Sequence, residues 1–455
     1  MSSKTKPISQ INWNLQLKTF LTYLDTHSTR ILVFITLSTF LIGIVVINAH
    51  PPSLQWGQTG SWWPIALNLE HGQGYAFCAQ VYFPLCGPDN QITASREPAP
   101  VLLFAALALL TRDSLITTAY IEILLHILVV WGIFLLTRQW SSPRAALFAA
   151  SMWAVYPPAL RLIPQLSGEM LATVCVTFGI VFLMRARASN RTQDWLLAGF
   201  AFGVAALSRS AVLVIVGVVV VGLFFEHCQA RQRYTTWLRP VLLVSLVVTS
   251  MIIPWVVRNK IALGKPVLGT TLTGYVIYRH NHILGSQDYL HYVGSQEARQ
   301  AIQLLLARHP DLRGKVNEVE MDAFYRQEGI KVILNHPVRY ALLSAFRFFP
   351  LWLNWQVREA YGNPSNGLDY SIMGLQILLL ILAVAGLRGN VRRTWPLWAS
   401  VAATSLAYMA IDSQLRYLVP VMPLVISLGT TGGIKLFNNL FRYSLKVEKL
   451  AADSP

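Results

Sequence analysis

Charged residues are scarce in this chain of 455 residues, since Asp, Glu, Lys and Arg together make up 13% of it. A soluble domain carries roughly 25% of these residues. Hydrophobic residues, by contrast, make up 54% of the chain. This composition excludes an ordinary soluble domain and indicates that lipid solvates much of the protein surface.

Cysteine is also rare, with four residues, and none of them lies in a Cys/His spacing typical of a metal site. No other convincing set of metal ligands is visible. The sequence therefore predicts no metal site and leaves the use of a divalent metal open.

Acidic residues are outnumbered by basic ones, 21 against 37, which gives a net charge of +16. The basic residues cluster in short segments between apolar runs, as they do in the cytoplasmic loops that orient a membrane protein. No zinc finger, helix-turn-helix or other nucleic-acid motif is present. We therefore predict that the basic residues set a membrane orientation and that the protein has no nucleic-acid partner.

Apolar runs long enough to cross a bilayer recur along the chain. Residues 31–49 carry no charge, and at about 1.5 Å per residue they cover roughly 28 Å, close to the hydrocarbon thickness. We interpret this run as an uncleaved first span, because polar residues precede it and no small-x-small cleavage pattern is evident. Ten spans are predicted: 31–49, 115–137, 145–160, 168–184, 195–207, 211–225, 240–255, 369–386, 395–411 and 417–435.

The stretch 195–225 is ambiguous, because Ser-Arg-Ser at 208–210 interrupts it. It is consistent with two short helices or with one bent helix. Two helices place the basic loops, including 388–393, on one side of the membrane, whereas a single span would leave that loop outside. We therefore predict two spans, a multi-pass protein of the plasma membrane, and cytoplasmic N- and C-termini.

This topology makes the chain an all-α polytopic membrane protein. A full span at 340–356 would invert the loop at 388–393, so we predict an interfacial helix there. The predicted parts are a cytoplasmic tail (1–30), an N-terminal membrane domain (31–255) with a first external loop (50–114), an external helical segment (256–368), C-terminal transmembrane helices (369–435) and a cytoplasmic tail (436–455).

Several arginines lie at predicted external positions, often beside a membrane boundary. Arginine is not needed there for orientation, and its desolvation is costly. Its planar guanidinium suits bidentate binding of phosphate. The competing interpretation is that each one reaches phospholipid headgroups or pairs with a helix carboxyl end. The external arginines are Arg96, Arg161, Arg209, Arg258, Arg279 and Arg416.

Four stretches resemble the polytopic glycosyltransferases of the GT-C class that use polyprenyl- or dolichyl-phosphate sugars. These enzymes include the protein O-mannosyltransferases of glycosyltransferase family 39 and the bacterial aminoarabinose transferases. In the family, a helix of the first external loop ends at a Gly-x-Gly-aromatic turn, present here at 72–75. The stretches are WWPIALNLEHGQGYAF (62–77) followed by REPAP (96–100), YPPALRLIPQLSGEML (156–171), PWVVRNKIALGKPVLGTTLTGYVIYRHN (254–281) and QLRYLVPVMPL (414–424).

The apolar run 99–110 in the large first external loop is too short to cross the bilayer comfortably, so we predict a second interfacial helix there. The resemblance implies a GT-C-like fold. It also implies a hexosyl- or pentosyltransferase that uses a polyprenyl-phosphate sugar donor. The acceptor would be a lipid, a polysaccharide or a protein. The reaction would take place at the outer face of the plasma membrane, which is the inner membrane of a bacterium.

One position departs from the family pattern. The family usually carries an acidic residue shortly before the Ala-x-Asn-Leu segment of the first loop, and this carboxylate is the expected base or metal-associated group. Alignment on Ala66, Asn68 and Leu69 places Gln58 there. An amide cannot accept the proton of the acceptor. Either another carboxylate acts, or the chain is a non-catalytic relative that binds the donor.

Two other external carboxylates are candidates for the catalytic role. Glu97 lies beside Arg96 at the start of an interfacial segment, and Glu169 lies at the outer end of an apolar helix. Their structural interpretations are an ion pair and a helix-start carboxylate, respectively. We predict Glu97 as the base and Glu169 as a second acidic group. The residues predicted to bind the lipid phosphate or the sugar are Gln58, Arg96, Arg258, Asn259, Arg416 and Tyr417.

A secondary transporter or lipid flippase is the alternative function. Such proteins place ionisable groups at mid-membrane, often in broken helices of two related halves. The predicted spans here are nearly free of charge, and no duplicated half is visible. Glu122 and His126, one helical turn apart in the span 115–137, keep this alternative open.

Cys78 and Cys86 flank a short segment of the first external loop. Because that loop faces the oxidising side of the membrane, we predict a disulfide between them. Labelling with a membrane-impermeant maleimide should therefore increase after reduction. Equal labelling of the oxidised and reduced samples would contradict the pairing.

Overall fold

The structure is a computed structural model. The residues that it describes form helices, and their only β-type pairing is an isolated bridge between Ala76 and Ile92. The predicted all-α membrane fold is confirmed. The described residues are 19, 22–55, 59–78, 91–229, 234–312, 317–355 and 366–452.

The helices follow one another with short connections. In the first half they are α1 (Ser28–Ala49), α2 (Thr59–Glu70), α3 (Pro98–Thr111), α4 (Leu115–Trp140), α5 (Pro143–Ala154), α6 (Pro157–Leu160), α7 (Gly168–Ser189), α8 (Thr192–Ser208), α9 (Leu213–Gln229) and α10 (Tyr234–Leu263). In the second half they are α11 (Thr273–Asn281), α12 (Ser295–Ala307), α13 (Glu318–Asn335), α14 (Pro337–Phe346), α15 (Phe348–Leu353), α16 (Asn366–Leu387), α17 (Trp395–Ile411) and α18 (Met422–Ala452).

Local sequence signals set several helix ends. The Ser114 hydroxyl accepts a hydrogen bond from the Thr117 N–H at the start of α4. A capping box of Asn317 and Glu320 begins α13. Gly72 and Gly74, which follow α2, both have positive φ angles, 75° and 80°, which glycine adopts without steric cost. The helix of the first external loop therefore ends at the Gly-x-Gly-aromatic turn that the family resemblance implied.

Six described helical segments are long and apolar enough to span a bilayer, and they coincide with six of the ten predicted spans. The other four predicted spans, at 145–160, 195–207, 211–225 and 395–411, contain main helices of 12 to 17 residues. A helix of 17 residues covers roughly 26 Å, slightly less than the hydrocarbon core. The count of ten is therefore not confirmed. The six segments are Ser28–Ala49, Leu115–Trp140, Gly168–Ser189, Leu238–Leu263, Gly367–Leu387 and Leu415–Leu440.

The stretch 195–225 forms two helices, as predicted. Helix α8 ends at Ser208, Arg209 has an extended backbone, and a 3-10 turn at Ser210–Val212 leads into α9. Helix α10 continues to Leu263, beyond the predicted boundary at 255. Arg258 and Asn259 therefore lie on the last turns of a helix rather than in a loop.

Close contacts at glycine hold the membrane helices together. A Cβ atom at Gly432 on α18 would lie 2.0 Å from the Leu382 carbonyl oxygen on α16. A Cβ atom at Gly386 would lie 2.1 Å from the Leu428 carbonyl oxygen. Small residues permit such close approach where no hydrophobic effect drives helix association.

The external segment has a small core of its own. Tyr275 on α11, Ile302 on α12, and Met321 and Tyr325 on α13 are buried against one another. A Cβ atom at Gly274 would lie 1.8 Å from the Asp322 carbonyl oxygen, so α11 and α13 meet backbone to backbone. At 340–356, where an interfacial helix was predicted, the chain forms the short helices α14 and α15, and their depth in the interface stays a prediction.

Candidate active site

The turn between α8 and α9 places one arginine against a fully buried carboxylate. Arg209 Nη1 lies 3.3 Å from Glu169 Oε1. Glu169 is the second residue of α7 and has no exposed surface. Removing two charges from water is costly unless they pair. The ion pair therefore fixes the start of α7 against the α8–α9 turn.

The same turn binds the second predicted carboxylate. Glu97 Oε1 accepts hydrogen bonds from the Ser210 N–H at 2.9 Å and from the Ser210 hydroxyl at 3.0 Å. Glu97 also interacts electrostatically with Arg209. The structure thus brings together Glu97 and Glu169, which are separated in the sequence by two predicted spans, 115–137 and 145–160.

Space at this turn is tight. A Cβ atom at Gly168 would lie 2.4 Å from the Ser208 carbonyl oxygen and 3.1 Å from the Trp62 ring. Any other residue would push α7 away from α8. The glycine therefore allows Glu169 to approach Arg209.

Arg416 and Tyr417 form the other side of the site. The guanidinium carbons of Arg416 and Arg209 each lie 5.1 Å from the centre of the Tyr417 ring. Tyr417 in turn stacks on Tyr408 at 4.8 Å. Arg416 acts electrostatically on Glu169, and its buried Nε has no hydrogen-bond partner among the described residues. Two cations therefore share one aromatic ring and one carboxylate, an arrangement suited to an added anion.

A third buried acid, Asp412, lies next to the Tyr417 ring. Asp412 Oδ1 lies 3.1 Å from His280 Nε2, and both side chains are buried. Burial lowers the pKa of His280 to about 3, so its imidazole is neutral at neutral pH. Burial acts to raise the pKa of Asp412, but His280 and Arg279 hold that pKa below its ordinary value. Asp412 therefore adds a negative charge to a region rich in arginine.

Arg258, a residue of α10, contacts the first external loop rather than the site around Arg209. Its Nη1 donates to the Thr93 carbonyl at 2.8 Å, and its Nη2 donates to the Tyr75 carbonyl at 3.1 Å. The guanidinium packs between the rings of Tyr75 and Trp255. Arg258 therefore joins two segments of the loop, one at Tyr75 and one at Thr93.

Asn259 and Arg96 are likewise engaged with backbone. Asn259 Nδ2 donates to the Val267 carbonyl at 3.0 Å. Arg96 Nη1 donates to the Ser95 carbonyl at 3.0 Å, and its guanidinium lies over the Trp62 ring. These two residues border the site and shape the loop around it.

The predicted site residues thus fall into two groups. Glu97, Glu169, Arg416 and Tyr417 surround Arg209. Arg96 and Arg258 contact the first external loop, and Asn259 contacts the segment that follows α10. The hydroxyl of Tyr75 links the groups, because it donates to the carbonyls of Arg96 and Glu97. Gln58 and Cys86 lie outside the described residues. Cys78 is disulfide-bonded, and its pairing with Cys86 stays a prediction.

Sequence reasoning missed three residues of the site as binding or catalytic groups. Arg209 is the charged residue in a turn between two apolar helices, and the cost of desolvating it there was a usable signal. Ser210 and Tyr408 carried no comparable signal, because polar turn residues and tyrosines near a span end are common.

An apolar groove opens beside the site. It lies between α9 and α10, has a volume of about 520 Å³, and is lined by aliphatic residues such as Leu213, Val248 and Ile252. Leu213 is three residues from Ser210. A Cβ atom at Gly217 would meet nothing within 4 Å, so this lining position borders open space. The groove can accommodate a hydrocarbon chain whose polar end lies at the α8–α9 turn.

One group of three potential metal ligands occurs among the described residues, and it lies apart from these carboxylates in the chain. His71 Nε2 lies 2.9 Å from Glu70 Oε2 and 3.0 Å from Asp113 Oδ2. His71 and Asp113 are exposed, and an ion-pair triad accounts for the contacts. Glu97 and Glu169 do not belong to this group.

The chain is similar to known glycosyltransferases in sequence and in fold. Residues 95–255 match the family model of the dolichyl-phosphate-mannose-protein mannosyltransferases. This match includes Glu97, Glu169 and Arg209. The resemblance to the GT-C class that the four stretches indicated is confirmed.

Solved structures of the oligosaccharyltransferase AglB share the fold. The oligosaccharyltransferase AglB from Archaeoglobus fulgidus, solved with an inhibitory peptide and a dolichol-phosphate, is 15% identical, with a TM-score of 0.51 over 94% of this chain and 52% of AglB. AglB tethered to an acceptor peptide is 13% identical, with a TM-score of 0.53 over 93% and 51%. ArnT from Cupriavidus metallidurans is 13% identical, with a TM-score of 0.40 over 88% and 76%.

The likeness to AglB is one of fold, since identity is low, and this chain spans about half the length of AglB. No curated protein sequence matches the chain.

The ion pair at the α8–α9 turn predicts an unfolding experiment. Arg209→Gln should lower the free energy of unfolding by about 3 kcal/mol, because it leaves the buried Glu169 carboxylate with less opposing charge. The double variant with Glu169→Gln should lose less than the sum of the single losses. Denaturant unfolding in detergent measures both quantities. The matched control is Arg191→Gln, an exposed residue at the other end of α8, and strictly additive losses would contradict the pairing.

Proposed function

We propose that this protein transfers a sugar from a polyprenyl-phosphate donor to an acceptor at the outer face of the plasma membrane. The observation that carries the proposal is the convergence of two carboxylates and two guanidinium groups, Glu97, Glu169, Arg209 and Arg416, beside an apolar groove. The GT-C-like fold supports it, and AglB of that fold has been solved with a dolichol-phosphate.

The donor phosphate binds between Arg209 and Arg416 in this proposal. Both guanidinium groups flank Tyr417, and Arg416 Nε is buried with no partner among the described residues. The isoprenoid chain then lies in the groove between α9 and α10. Arg258 supports the donor site in this proposal by fixing the first external loop, in which Arg96 lies, and Asn259 fixes the segment that follows α10. The arginines stabilise the charge that develops on the leaving phosphate.

Glu97 is the proposed base. Its Oε1 is fixed by two hydrogen bonds from Ser210, which leaves Oε2 to accept the proton of an acceptor hydroxyl or amine. The bond between the sugar carbon and the phosphate oxygen breaks as the acceptor attacks that carbon. Glu169 stays ionised beside Arg209 and orients its guanidinium. In this proposal Glu97 does the work of the first-loop carboxylate, whose place in the family pattern is taken here by Gln58.

A single helix supports the outer-face location. Glu169 and the basic segment 185–191 lie at opposite ends of α7, which has 22 residues. Basic segments of this kind face the cytoplasm. Glu169 and the site around it then face outward, and both chain termini face inward.

Transport is the competing function, and one observation favours it. Glu122 and His126 are fully buried within α4. Buried ionisable groups in a span are typical of proton or ion pathways. An assay of sugar transfer and donor flux in liposomes distinguishes the two functions.

Purified protein in liposomes should transfer label from a polyprenyl-phosphate sugar, tested across hexose and pentose donors and mixed acceptors. Glu97→Gln should lower turnover by roughly 10²- to 10⁴-fold, because a general base is removed. Glu297→Gln, an acid on the external helix α12, is the control and should keep full turnover. Label transfer unaffected by Glu97→Gln would reject the base, and donor flux without any transfer would favour transport.

The groove gives a second prediction. Gly217→Leu should raise the donor KM at least about tenfold, because its side chain occupies the space proposed for the isoprenoid. Gly374→Leu on α16 is the matched control, since a Cβ atom there also meets nothing within 4 Å and does not line the groove. Donor titrations of both variants provide the measurement. An unchanged donor KM for Gly217→Leu would place the isoprenoid elsewhere.

A further inference from the structure

Glu318 belongs to the external segment, yet its carboxylate binds the chain just before Glu97. Glu318 Oε2 accepts a hydrogen bond from the Thr93 hydroxyl at 2.8 Å. Glu318 Oε1 accepts from the Ala94 N–H at 2.5 Å and from the Thr271 hydroxyl at 3.0 Å. One side chain therefore joins α13 to a segment more than 200 residues earlier in the chain.

Helix α13 does not need Glu318 for its own stability at this end. Its capping box is made by Asn317 and Glu320, on either side of Glu318. Burial raises the pKa of Glu318, while the Ala94 N–H and the two threonine hydroxyls act in the opposite direction. A carboxylate is costly to bury unless donors compensate it. Its place in the structure is therefore determined by the segment that it binds.

Backbone hydrogen bonds hold that segment together with Glu318. The Thr93 N–H donates to the Tyr75 carbonyl at 3.0 Å, and the Tyr75 hydroxyl donates to the carbonyls of Arg96 and Glu97. Residues 93–97 are buried but belong to no helix. The Thr271 N–H donates to the Ala94 carbonyl at 3.1 Å, and Arg258 donates to the Thr93 carbonyl. Helix α3 starts only at Pro98, directly after Glu97. The position of the Glu97 carboxylate therefore depends on what fixes residues 93–95.

We infer that Glu318 is a positioning residue: it ties the external helical segment to residues 93–95 and thereby sets the Glu97 carboxylate against Ser210. The inference rests on the proposed function, in which Glu97 takes the acceptor proton. Helices α11 to α13 share one core. Glu318 therefore couples that external unit to the base of the reaction.

The turnover test uses three variants of the full chain in liposomes. Glu318→Ala removes the acceptor of the Ala94 N–H, and a base displaced by about 1 Å can cost up to about 100-fold in rate. We expect a loss of roughly 10- to 100-fold in turnover per bound labelled donor. Glu318→Gln should recover part of the rate, because its amide oxygen still accepts from the Ala94 N–H.

The matched control is Glu320→Ala in the same helical turn, which removes the capping box and leaves the segment contacts intact. Its turnover per bound donor should stay within about twofold of the parent chain, as a lost cap affects stability rather than geometry at Glu97. The turnover is divided by the amount of bound donor, because misfolded molecules that bind no donor are then left out of the comparison. Equal losses in Glu318→Ala and Glu320→Ala would overturn the inference.

A second measurement does not need activity. Ser95 is buried, so a cysteine introduced by Ser95→Cys should react slowly with a maleimide, measured against the same chain without it. Labelling should be faster when Glu318→Ala is added and unchanged when Glu320→Ala is added. Unchanged labelling with Glu318→Ala would overturn the inference. Faster labelling in a protein that uses no sugar donor would reject the proposed function and leave the coupling standing.

Discussion

The ion pair between Arg209 and Glu169 is the interaction on which the rest of the site depends. It forms where two apolar helices are interrupted, so a guanidinium lies at the membrane boundary without bulk water around it. The start of α7, the ring of Tyr417 and the contact between Ser210 and Glu97 are all arranged about this turn. An unpaired buried charge would be costly, which makes the pair a structural constraint, and Arg416 adds a second cation that acts on the same carboxylate.

Much of the fold could be predicted from the sequence, because hydrophobic length and basic loops report directly on lipid and orientation. The six longest spans and the break at 208–210 illustrate this. The status of shorter runs such as 145–160 could not be predicted, since helices of 12 to 17 residues depend on neighbours to cover their ends. The extension of α10 past Arg258 was missed for a related reason, because polar residues can continue a helix beyond the hydrocarbon.

The residue types of the candidate site could be predicted from the sequence, but the partners that these side chains contact were harder to predict. Glu97, Glu169, Arg416 and Tyr417 were identified because charge near a span end is costly and the family resemblance marked their stretches. Arg258 fits the same criteria, yet its donors contact the carbonyls of Thr93 and Tyr75. Which group an arginine binds depends on contacts across 165 or more residues, and the hydrogen bonds of Glu318 depend on the same kind of long-range packing. The local sequence around a residue does not predict such long-range contacts.

The groove between α9 and α10 bears on how a substrate arrives. Ile253 and Val257 line it and are themselves about half exposed, at 51% and 47%, so its wall is open sideways. In the proposed function this open side faces the acyl chains of the bilayer. A long-chain molecule can enter by lateral diffusion without passing through water. Encounter is then a two-dimensional process, governed by the surface density of the lipid and the fluidity of the leaflet rather than by any concentration in the aqueous phase.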